Sequence, residues 1–300
     1  MYFYKFYGKR VQSDWELRQL LPQSEEEKAL PQEITIKEGI VPDATRREDA
    51  CFAEIASPES HFGNPTMYMY IANGDTIIYE LRDRSHAGAV NAYLTGWGIS
   101  ILFYQRGAIG IHCSCVANEK GAVIISGASG AGKSTTTAHF LENGYHLVAD
   151  DLSMVEIRED GVYACPAFPY QKLCRDAALD NGYDLNRLIY INEQKDKFLV
   201  PYSGEFSTEP VKLRCMLMLY RVSGDKSVEM EPITGIERLH HIVASMFIAR
   251  LMEKKQAYAP ATGEKCLKIA AAVPEMYALY RPVDRDTKKE ILKIIDEHIL

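Results

Sequence analysis

One short segment of the sequence places glycines, a lysine and a serine at the spacing of a phosphate-binding loop. The segment begins at Gly127 and ends at Thr135, and GASGAGKST fits the pattern G-x-x-x-x-G-K-[ST] at every fixed position. Glycines let backbone N–H groups turn inward around an anion, and a following helix directs its positive end at the same anion. We therefore predict a nucleotide-binding loop, with an ordinary glycine-rich turn between a strand and a helix as the alternative.

The predicted loop assigns a role to each residue type. Lys133 supplies a point charge to the β- and γ-phosphates, and the hydroxyl of Ser134 reaches the magnesium that bridges them. ATP or GTP and Mg²⁺ are the expected ligands. The predicted nucleotide-binding residues are Gly127, Ser129, Gly130, Ala131, Gly132, Lys133, Ser134 and Thr135, and Ser134 is the predicted metal ligand within the loop.

Two adjacent acids follow the next predicted strand, YHLVAD. Asp150 and Asp151 repel one another unless a cation or a hydrogen-bond donor separates them. Beside a phosphate loop, one can hold magnesium through water and the other can accept a proton from an attacking hydroxyl. The alternative is a helix N-cap or a turn acid. His112, on the strand before the loop strand, would by its spacing alone be a packed core histidine.

The residues around these candidates alternate between strand and helix patterns, which predicts an α/β fold. GAVIIS, directly before the loop, is an apolar run of the kind that a strand covered on both faces needs. TTTAHFLEN is a predicted helix, and Gly144 lies where its C-terminal cap belongs. The other predictions here are a strand in IGIHCSCVAN, a hairpin in SMVEIREDGVYACPAF, a short helix with a loop in residues 172–200, a core strand in KLRCMLMLYRV, and helices at Arg238–Lys254 and Thr287–Leu300.

The first part of the chain has a different pattern. MYFYKFYGKR alternates aromatic and polar residues like an amphipathic strand, and EITIKE is another candidate strand. TMYMYIA and TIIYEL flank Asn73-Gly74-Asp75, which is a hairpin signal. Apolar residues from Ala87 to Arg106 have helical spacing. We predict a strand-rich N-terminal region at residues 1–90 and a nucleotide-binding domain at residues 91–300.

Composition excludes several classes of protein. A formal net charge of -7 gives no reason to expect nucleic-acid binding. No apolar run has the roughly 18 residues that a membrane span needs, and the N-terminus does not read as a signal peptide. The seven cysteines include no CxxC pair, so reduced core thiols in a cytoplasmic protein are expected.

The segment HCSCVANEKGAVIISGASGAGKSTTTAHFLENGYHLVADD resembles the catalytic core of the HPr kinase/phosphorylase family. That family joins a strand with a histidine, a G-x-S-G-x-G-K-S loop, a helix, and a strand reading roughly G-H-R-L-V-A-D-D. The pattern runs here without a gap from His112 to Asp151. The resemblance implies a P-loop kinase core of the HPr kinase/PEP carboxykinase type, with Asp150 as catalytic base, Asp151 near the metal and His112 near the reacting phosphate.

The sequence also departs from that family. Its later signature, E-[IV]-R-G-x-G, is missing, because VEIRED at residues 155–160 comes too early and lacks both glycines. We interpret VEIRED as a strand and a turn. The missing signature argues against phosphorolysis and against HPr as the substrate.

A divergent branch of HPr kinase-like proteins, thought to phosphorylate a peptide serine, is similar over more of the chain. The similar segments are FYGKRVQSDWELRQL, FPYQKLC, DKFLVP and MYALYRPVD. By this similarity Lys172 and Lys197 are candidates for neutralising charge on the transferred phosphoryl group, although both also fit ordinary surface lysines.

The resemblance implies an ATP- and magnesium-dependent kinase that transfers the γ-phosphoryl group to a hydroxyl, expected to be a serine of a peptide or protein. Two alternatives remain open at this stage: a nucleotide-binding sensor or scaffold without phosphotransfer, and a kinase of a small metabolite. No nucleic-acid or membrane partner is expected, and self-association into oligomers is compatible with the family resemblance.

Overall fold

The computed structural model describes residues 1–47, 51–83, 87–180, 182–192, 196–224, 227–252 and 258–300. The chain has a mixed α/β fold and forms two compact units, each assembled from three chain segments. Unit 1 comprises Met1–Gly110, Ala167–Tyr202 and Phe247–Thr262, and unit 2 comprises Ile111–Pro166, Ser203–Met246 and Gly263–Leu300. The domain division at residues 90 and 91 stays a prediction.

The secondary-structure elements are numbered along the chain. The strands are β1 (Tyr2–Phe6), β2 (Lys9–Ser13), β3 (Leu21–Pro22), β4 (Ile34–Glu38), β5 (Phe52–Glu54), β6 (Glu59–Gly63), β7 (Met67–Ala72), β8 (Thr76–Leu81), β9 (Ile109–Ile111), β10 (Cys113–Asn118), β11 (Gly121–Gly127), β12 (His146–Ala149), β13 (Ser153–Arg158), β14 (Gly161–Cys165), β15 (Tyr170–Cys174), β16 (Ile189–Asn192), β17 (Lys197–Pro201), β18 (Val211–Val222), β19 (Glu229–Pro232) and β20 (Glu275–Pro282). The α-helices are α1 (Glu25–Lys28), α2 (Ala87–Tyr93), α3 (Ile99–Gln105), α4 (Lys133–Glu142), α5 (Arg175–Asp180), α6 (Glu237–Ser245), α7 (Pro260–Ala272) and α8 (Lys288–His298).

Unit 1 contains an eight-stranded sheet in the order β3-β1-β2-β4-β8-β7-β6-β5. β1 has the alternation of a strand with one buried face, because the side chains of Tyr4 and Phe6 are buried and that of Lys5 between them is exposed. The predicted hairpin of β7 and β8 is confirmed, and Asn73 and Gly74 both have positive φ at its turn. A hydrogen bond from the Asp75 N–H to the Ala72 carbonyl oxygen closes this turn, and positive φ at its two central residues matches the twist of the flanking strands. The predicted strand in EITIKE is confirmed as β4.

The predicted helix from Ala87 is confirmed, with an irregularity at its centre. A π-helical turn, Leu94–Gly98, joins α2 to α3 and contains Gly96 and Gly98. A Cβ at Gly98 would lie 3.2 Å from both Ile77 Cδ1 and Met69 Sδ. Glycine therefore permits close packing of this turn on the eight-stranded sheet.

Residues 172–200 contain more strand than the sequence pattern predicts. α5 corresponds to the predicted short helix, but β15, β17 and β16 form a three-stranded antiparallel sheet beside it. Leu173, Ala178, Phe198 and Val200 form the small core between the helix and the sheet. Short strands of this kind are specified by such packing more than by their own propensity.

Unit 2 is built on three parallel strands, β11, β18 and β20. β10 pairs antiparallel with β11, and β12 pairs antiparallel with β10. β14 and β19 add antiparallel pairs to β18 and β20. The hairpin of β13 and β14 is confirmed, and VEIRED forms the end of β13 and its turn, as predicted. The buried cluster on one side of this sheet includes Val123, Ile125, Phe140, Leu217, Leu219, Ile291 and Ile295.

The later helices agree in part with the prediction. The helix predicted at Arg238–Lys254 is α6, which ends at Ser245, and its predicted end at Lys254 lies outside the described residues. The last predicted helix is confirmed as α8, and α7 was not predicted. All seven cysteines are free, and Cys51 and Cys174 are exposed. Over the described parts of the chain, no helix combines the length and the apolar character that a bilayer crossing requires.

Candidate functional site

The predicted nucleotide loop connects β11 to α4 within unit 2, in the strand–loop–helix order that the motif needs. Gly127, Gly130 and Gly132 have φ values of 152°, 79° and 107°. A Cβ at Gly127 would lie 2.6 Å from the carbonyl oxygen of Leu219 on β18. Gly132 is the left-handed residue that precedes the first turn of α4. Each glycine thus occupies a conformation that other residues rarely adopt, and the first also permits contact with the next strand.

The side chain of Lys133 bends back onto the loop. Lys133 Nζ donates hydrogen bonds to the carbonyl oxygens of Gly127, at 2.6 Å, and Ala128, at 3.2 Å. Ser134 and Thr135 are exposed in the first turn of α4. Of the remaining predicted nucleotide-binding residues, Ser129 is exposed and Ala131 is buried. Two backbone carbonyls of the loop therefore hold its own cation against the loop.

The first acid of the predicted pair is held by a neighbouring strand. Asp150 follows the end of β12, and the hydroxyl of Ser114 on β10 donates a 2.5 Å hydrogen bond to its Oδ1. Ser114 is buried, and Asp150 is partly buried. A hydrogen bond to a carboxylate fixes the orientation of that carboxylate.

The second acid and the histidine contact each other. Asp151 has a φ of 72°, a left-handed conformation that Asp tolerates better than most residues. Its backbone oxygen lies 2.9 Å from Nδ1 of His112, and its Oδ1 lies 3.6 Å from the same nitrogen. His112 interrupts the predicted strand, because its N–H bonds Ser245 O between β9 and β10. The structure thus brings together His112, Asp150 and Asp151.

Strand direction explains why the loop and the acids share one edge of the sheet. β12 runs antiparallel to β10, and β10 runs antiparallel to β11, so β11 and β12 point the same way. The end of β12, the beginning of β10 and the end of β11 therefore meet at one edge. Ligands of parallel sheets bind outside the carboxyl ends of the strands, which is where Asp150 and Gly127 are found.

Two arginines that the sequence analysis did not identify lie at the same edge. Arg221 and Arg281 are register partners near the ends of β18 and β20, which run parallel to β11. Arg281 Nη2 donates a 2.7 Å hydrogen bond to the carbonyl oxygen of Gly130. Arg221 Nη1 lies 3.4 Å from the position that a Cβ would take at Gly130. The only sequence signal for them was that Arg281 falls within MYALYRPVD.

The two predicted lysines belong to unit 1. Lys172 is on β15 opposite Leu199, and Lys197 is on β17 opposite Cys174. Lys197 and Leu199 are two residues apart on β17, so their side chains are on the same face of the strand. Since Lys172 pairs with Leu199, the two lysines share a face of the three-stranded sheet. Both are partly buried. Their role in charge neutralisation stays a prediction.

A buried cysteine near the site, Cys113, has a structural role. Burial, with a smaller contribution from the charge of Asp150, raises the pKa of the Cys113 thiol far above its ordinary value. Cys113 therefore stays protonated at neutral pH and packs as a core residue rather than acting as a nucleophile.

The donor set at this edge fits magnesium only together with a phosphate ligand. Within the described ranges, no group of three or more His, Cys, Asp or Glu side chains is arranged to hold a metal ion. Mg²⁺ commonly uses one or two carboxylates plus substrate phosphates instead of an all-protein cage. Asp151, with the exposed hydroxyl of Ser134, is compatible with that arrangement.

Comparisons with known proteins give structural likenesses but no sequence family. No protein-family model matches the sequence, and no curated protein matches it significantly. Among solved structures, the chain is similar to the Hpr(Ser) kinase/phosphatase from Coxiella burnetii, with a TM-score of 0.32 and 13% sequence identity. The match covers 63% of this chain and 95% of the other. This likeness is too weak to establish a shared family, and the proposals below rest on the residues described above.

Proposed function

We propose that the chain is an ATP- and magnesium-dependent kinase that transfers the γ-phosphoryl group to a hydroxyl, with a serine of a peptide or protein as the acceptor. One observation carries the proposal. The loop from Gly127 to Lys133 and the carboxylate of Asp150 lie at the same edge of one sheet, within one unit. A phosphate loop alone would serve binding, whereas a positioned carboxylate beside it supplies a base.

In this proposal the loop holds the phosphates and the acids serve the reaction. Backbone amides of the loop and Lys133 bind the β- and γ-phosphates. The acceptor oxygen attacks the γ-phosphorus, the bond to the β,γ-bridging oxygen breaks, and ADP leaves. Asp150 takes the proton of the acceptor hydroxyl.

The other residues of the site orient the two acids or neutralise charge on the phosphates. The Ser114 hydrogen bond orients the Asp150 carboxylate, and His112 orients Asp151. Ser134 and Asp151 would hold Mg²⁺, which when bound neutralises phosphate charge. Lys172 and Lys197 are proposed to neutralise charge on the transferred group.

The direct test is phosphoryl transfer from Mg-ATP labelled at the γ-phosphate. Purified protein is incubated with serine peptides or a cell extract, and mass spectrometry identifies any molecule that gains one phosphoryl group. Asp150→Asn should lower transfer by about 10²-fold or more, as expected for loss of a general base, while retaining ADP binding. Asp160→Asn is a matched control, because Asp160 is an exposed acid of unit 2 that pairs with Lys212.

The results separate this proposal from its alternatives. Binding of ADP and ATP without transfer to any acceptor, together with normal behaviour of Asp150→Asn, would indicate a nucleotide sensor or scaffold. Transfer to a small anionic molecule but to no peptide would indicate a metabolite kinase. Absence of nucleotide binding by the wild-type protein would contradict all three functions.

A further inference from the structure

Two guanidinium groups lie side by side near the nucleotide loop. Arg221 and Arg281 occupy register positions on adjacent parallel strands, so their side chains project from the same face. Both reach the loop, since Arg281 Nη2 bonds Gly130 O and Arg281 Nε lies 3.8 Å from the Cβ position at Gly132. Arg221 Nη1 is close to the corresponding position at Gly130.

Some of the N–H donors of these two arginines have no hydrogen-bond partner among the described residues. Arg281 Nε is buried and has no hydrogen-bond partner among the described residues. Arg221 is exposed, and in the part of the chain that the structure describes it makes no hydrogen bond or ion pair. Neighbouring like charges on adjacent strands repel each other, and a buried donor without a partner costs stability. An anion between the guanidinium groups would relieve both costs, and phosphate oxygens suit the planar fork of arginine.

The order of strands determines which part of a nucleotide these arginines would meet. The sheet runs β12-β10-β11-β18, and β20 follows beside β18. Asp150, at the end of β12, is on one side of the loop strand, and the two arginines are on the other. A nucleoside triphosphate is linear, with the transferred phosphate at one end. If that end faces Asp150, the opposite end points toward Arg221 and Arg281.

We propose that Arg221 and Arg281 bind the part of the nucleotide that remains as ADP after transfer. This inference rests on the nucleotide site of the proposed function and adds the orientation of the bound molecule. Arg281 also holds the loop through its hydrogen bond to Gly130 O, whereas Arg221 would contact only the nucleotide. Because the loop and Lys133 are assigned the β-phosphate, the α-phosphate is the anionic group of ADP that remains for the two guanidinium groups.

The test measures the dissociation constants of Mg-ADP and Mg-ATP by titration calorimetry. Arg221→Ala removes a side chain with no described protein partner, so the fold should be retained, which thermal unfolding checks. Loss of a charge-assisted contact should weaken ADP and ATP binding by the same factor, about tenfold or more. Lys212→Ala is the matched control, because Lys212 is an exposed cation at the beginning of the same strand. It should bind both nucleotides like the wild type.

Three outcomes would overturn the inference, each in a recognisable way. If Arg221→Ala weakens ATP binding but leaves ADP binding unchanged, the arginine holds the transferred phosphate instead. If neither dissociation constant changes but the KM of the acceptor rises, the arginine contacts the acceptor. If the wild-type protein binds neither nucleotide, the proposed function fails and this inference fails with it. Nucleotide binding without phosphoryl transfer would instead remove the kinase proposal and leave this inference intact.

Discussion

The hydroxyl of Ser114 donates a 2.5 Å hydrogen bond to Oδ1 of Asp150. The register of β10 and β12 produces this contact, because Cys115 pairs with Ala149 and places the neighbouring residues at the same end of the strand pair. The carboxylate is thereby held on the rigid sheet, although Asp150 itself lies beyond the end of β12. A group held in this way is pre-oriented for proton transfer.

We predict that Ser114→Ala lowers the turnover number of phosphoryl transfer without weakening nucleotide binding. A hydrogen bond to a charged group is worth about 1.5–3 kcal/mol, so a decrease of about tenfold or more is expected. Steady-state kinetics and ADP titration measure the two quantities separately. Ser114→Thr keeps the hydroxyl and should recover part of the rate. A Ser114→Ala variant with wild-type turnover would show that Asp150 needs no such orientation.

Replacing two glycines by alanine should give unequal losses of stability. Gly144 has a φ of 82° and nothing within 4 Å of its Cβ position, so Gly144→Ala should cost about 1–2 kcal/mol from backbone strain alone. Gly127→Ala adds a contact of 2.6 Å with Leu219 O, so about 1–3 kcal/mol more is expected. Urea unfolding gives both free energies. Equal losses would mean that β11 and β18 can separate at little cost.

A partly buried histidine should make the stability of the protein depend on pH. Desolvation lowers the pKa of His241 below its ordinary value of 6.5, and the Tyr220 hydroxyl contacts its Nδ1. Between the lowered folded-state pKa and the unfolded value, the unfolded chain binds more protons. The free energy of unfolding therefore falls as the pH drops below 6.5 through this range.

We predict that His241→Gln removes this component and makes stability fall less steeply from neutral to acidic pH. Urea unfolding at several pH values measures the difference. Tyr220→Phe is the control, because it removes the hydroxyl and leaves the histidine partly buried, so the pH dependence should persist. Identical slopes for wild type and His241→Gln would contradict the assignment.

The two lysines of unit 1 should affect the reaction but not nucleotide binding. Lys172→Gln and Lys197→Gln remove charges proposed to act on the transferred group, and neither lysine belongs to the loop proposed to bind the nucleotide. We expect a lower turnover number with an unchanged dissociation constant for ADP. Lys37→Gln, an exposed lysine of β4, is a control from the same unit. Full activity of both variants would make them ordinary surface lysines.

Features specified by neighbouring residues were predictable from the sequence. The hairpin at Asn73-Gly74 and the strand–loop–helix order around Gly127 depend on local backbone preferences. By contrast, β16 is a short strand defined by its pairing with β17, which no local pattern shows. α7 was missed because its first turns contain Pro260 and Gly263, which weaken a helix pattern.

The candidate site shows the same division between local and distant information. The loop motif and the acids at Asp150 and Asp151 stand close together in the sequence and could be identified there. Arg221 and Arg281 could not, because only the register of β18 with β20 brings them together. The contact between Ser114 and Asp150 likewise depends on strand pairing.

The parallel strands of unit 2 come from distant parts of the chain, and this affects how the protein is made. The Gly127 loop leaves the ribosome long before Arg281, which lies on β20. Pairing of distant segments is slow, because chain entropy is lost before the contacts form. The sheet of unit 2 therefore cannot be completed until β20 has been synthesised, and before then the unpaired edge of β18 is exposed to aggregation or to chaperones.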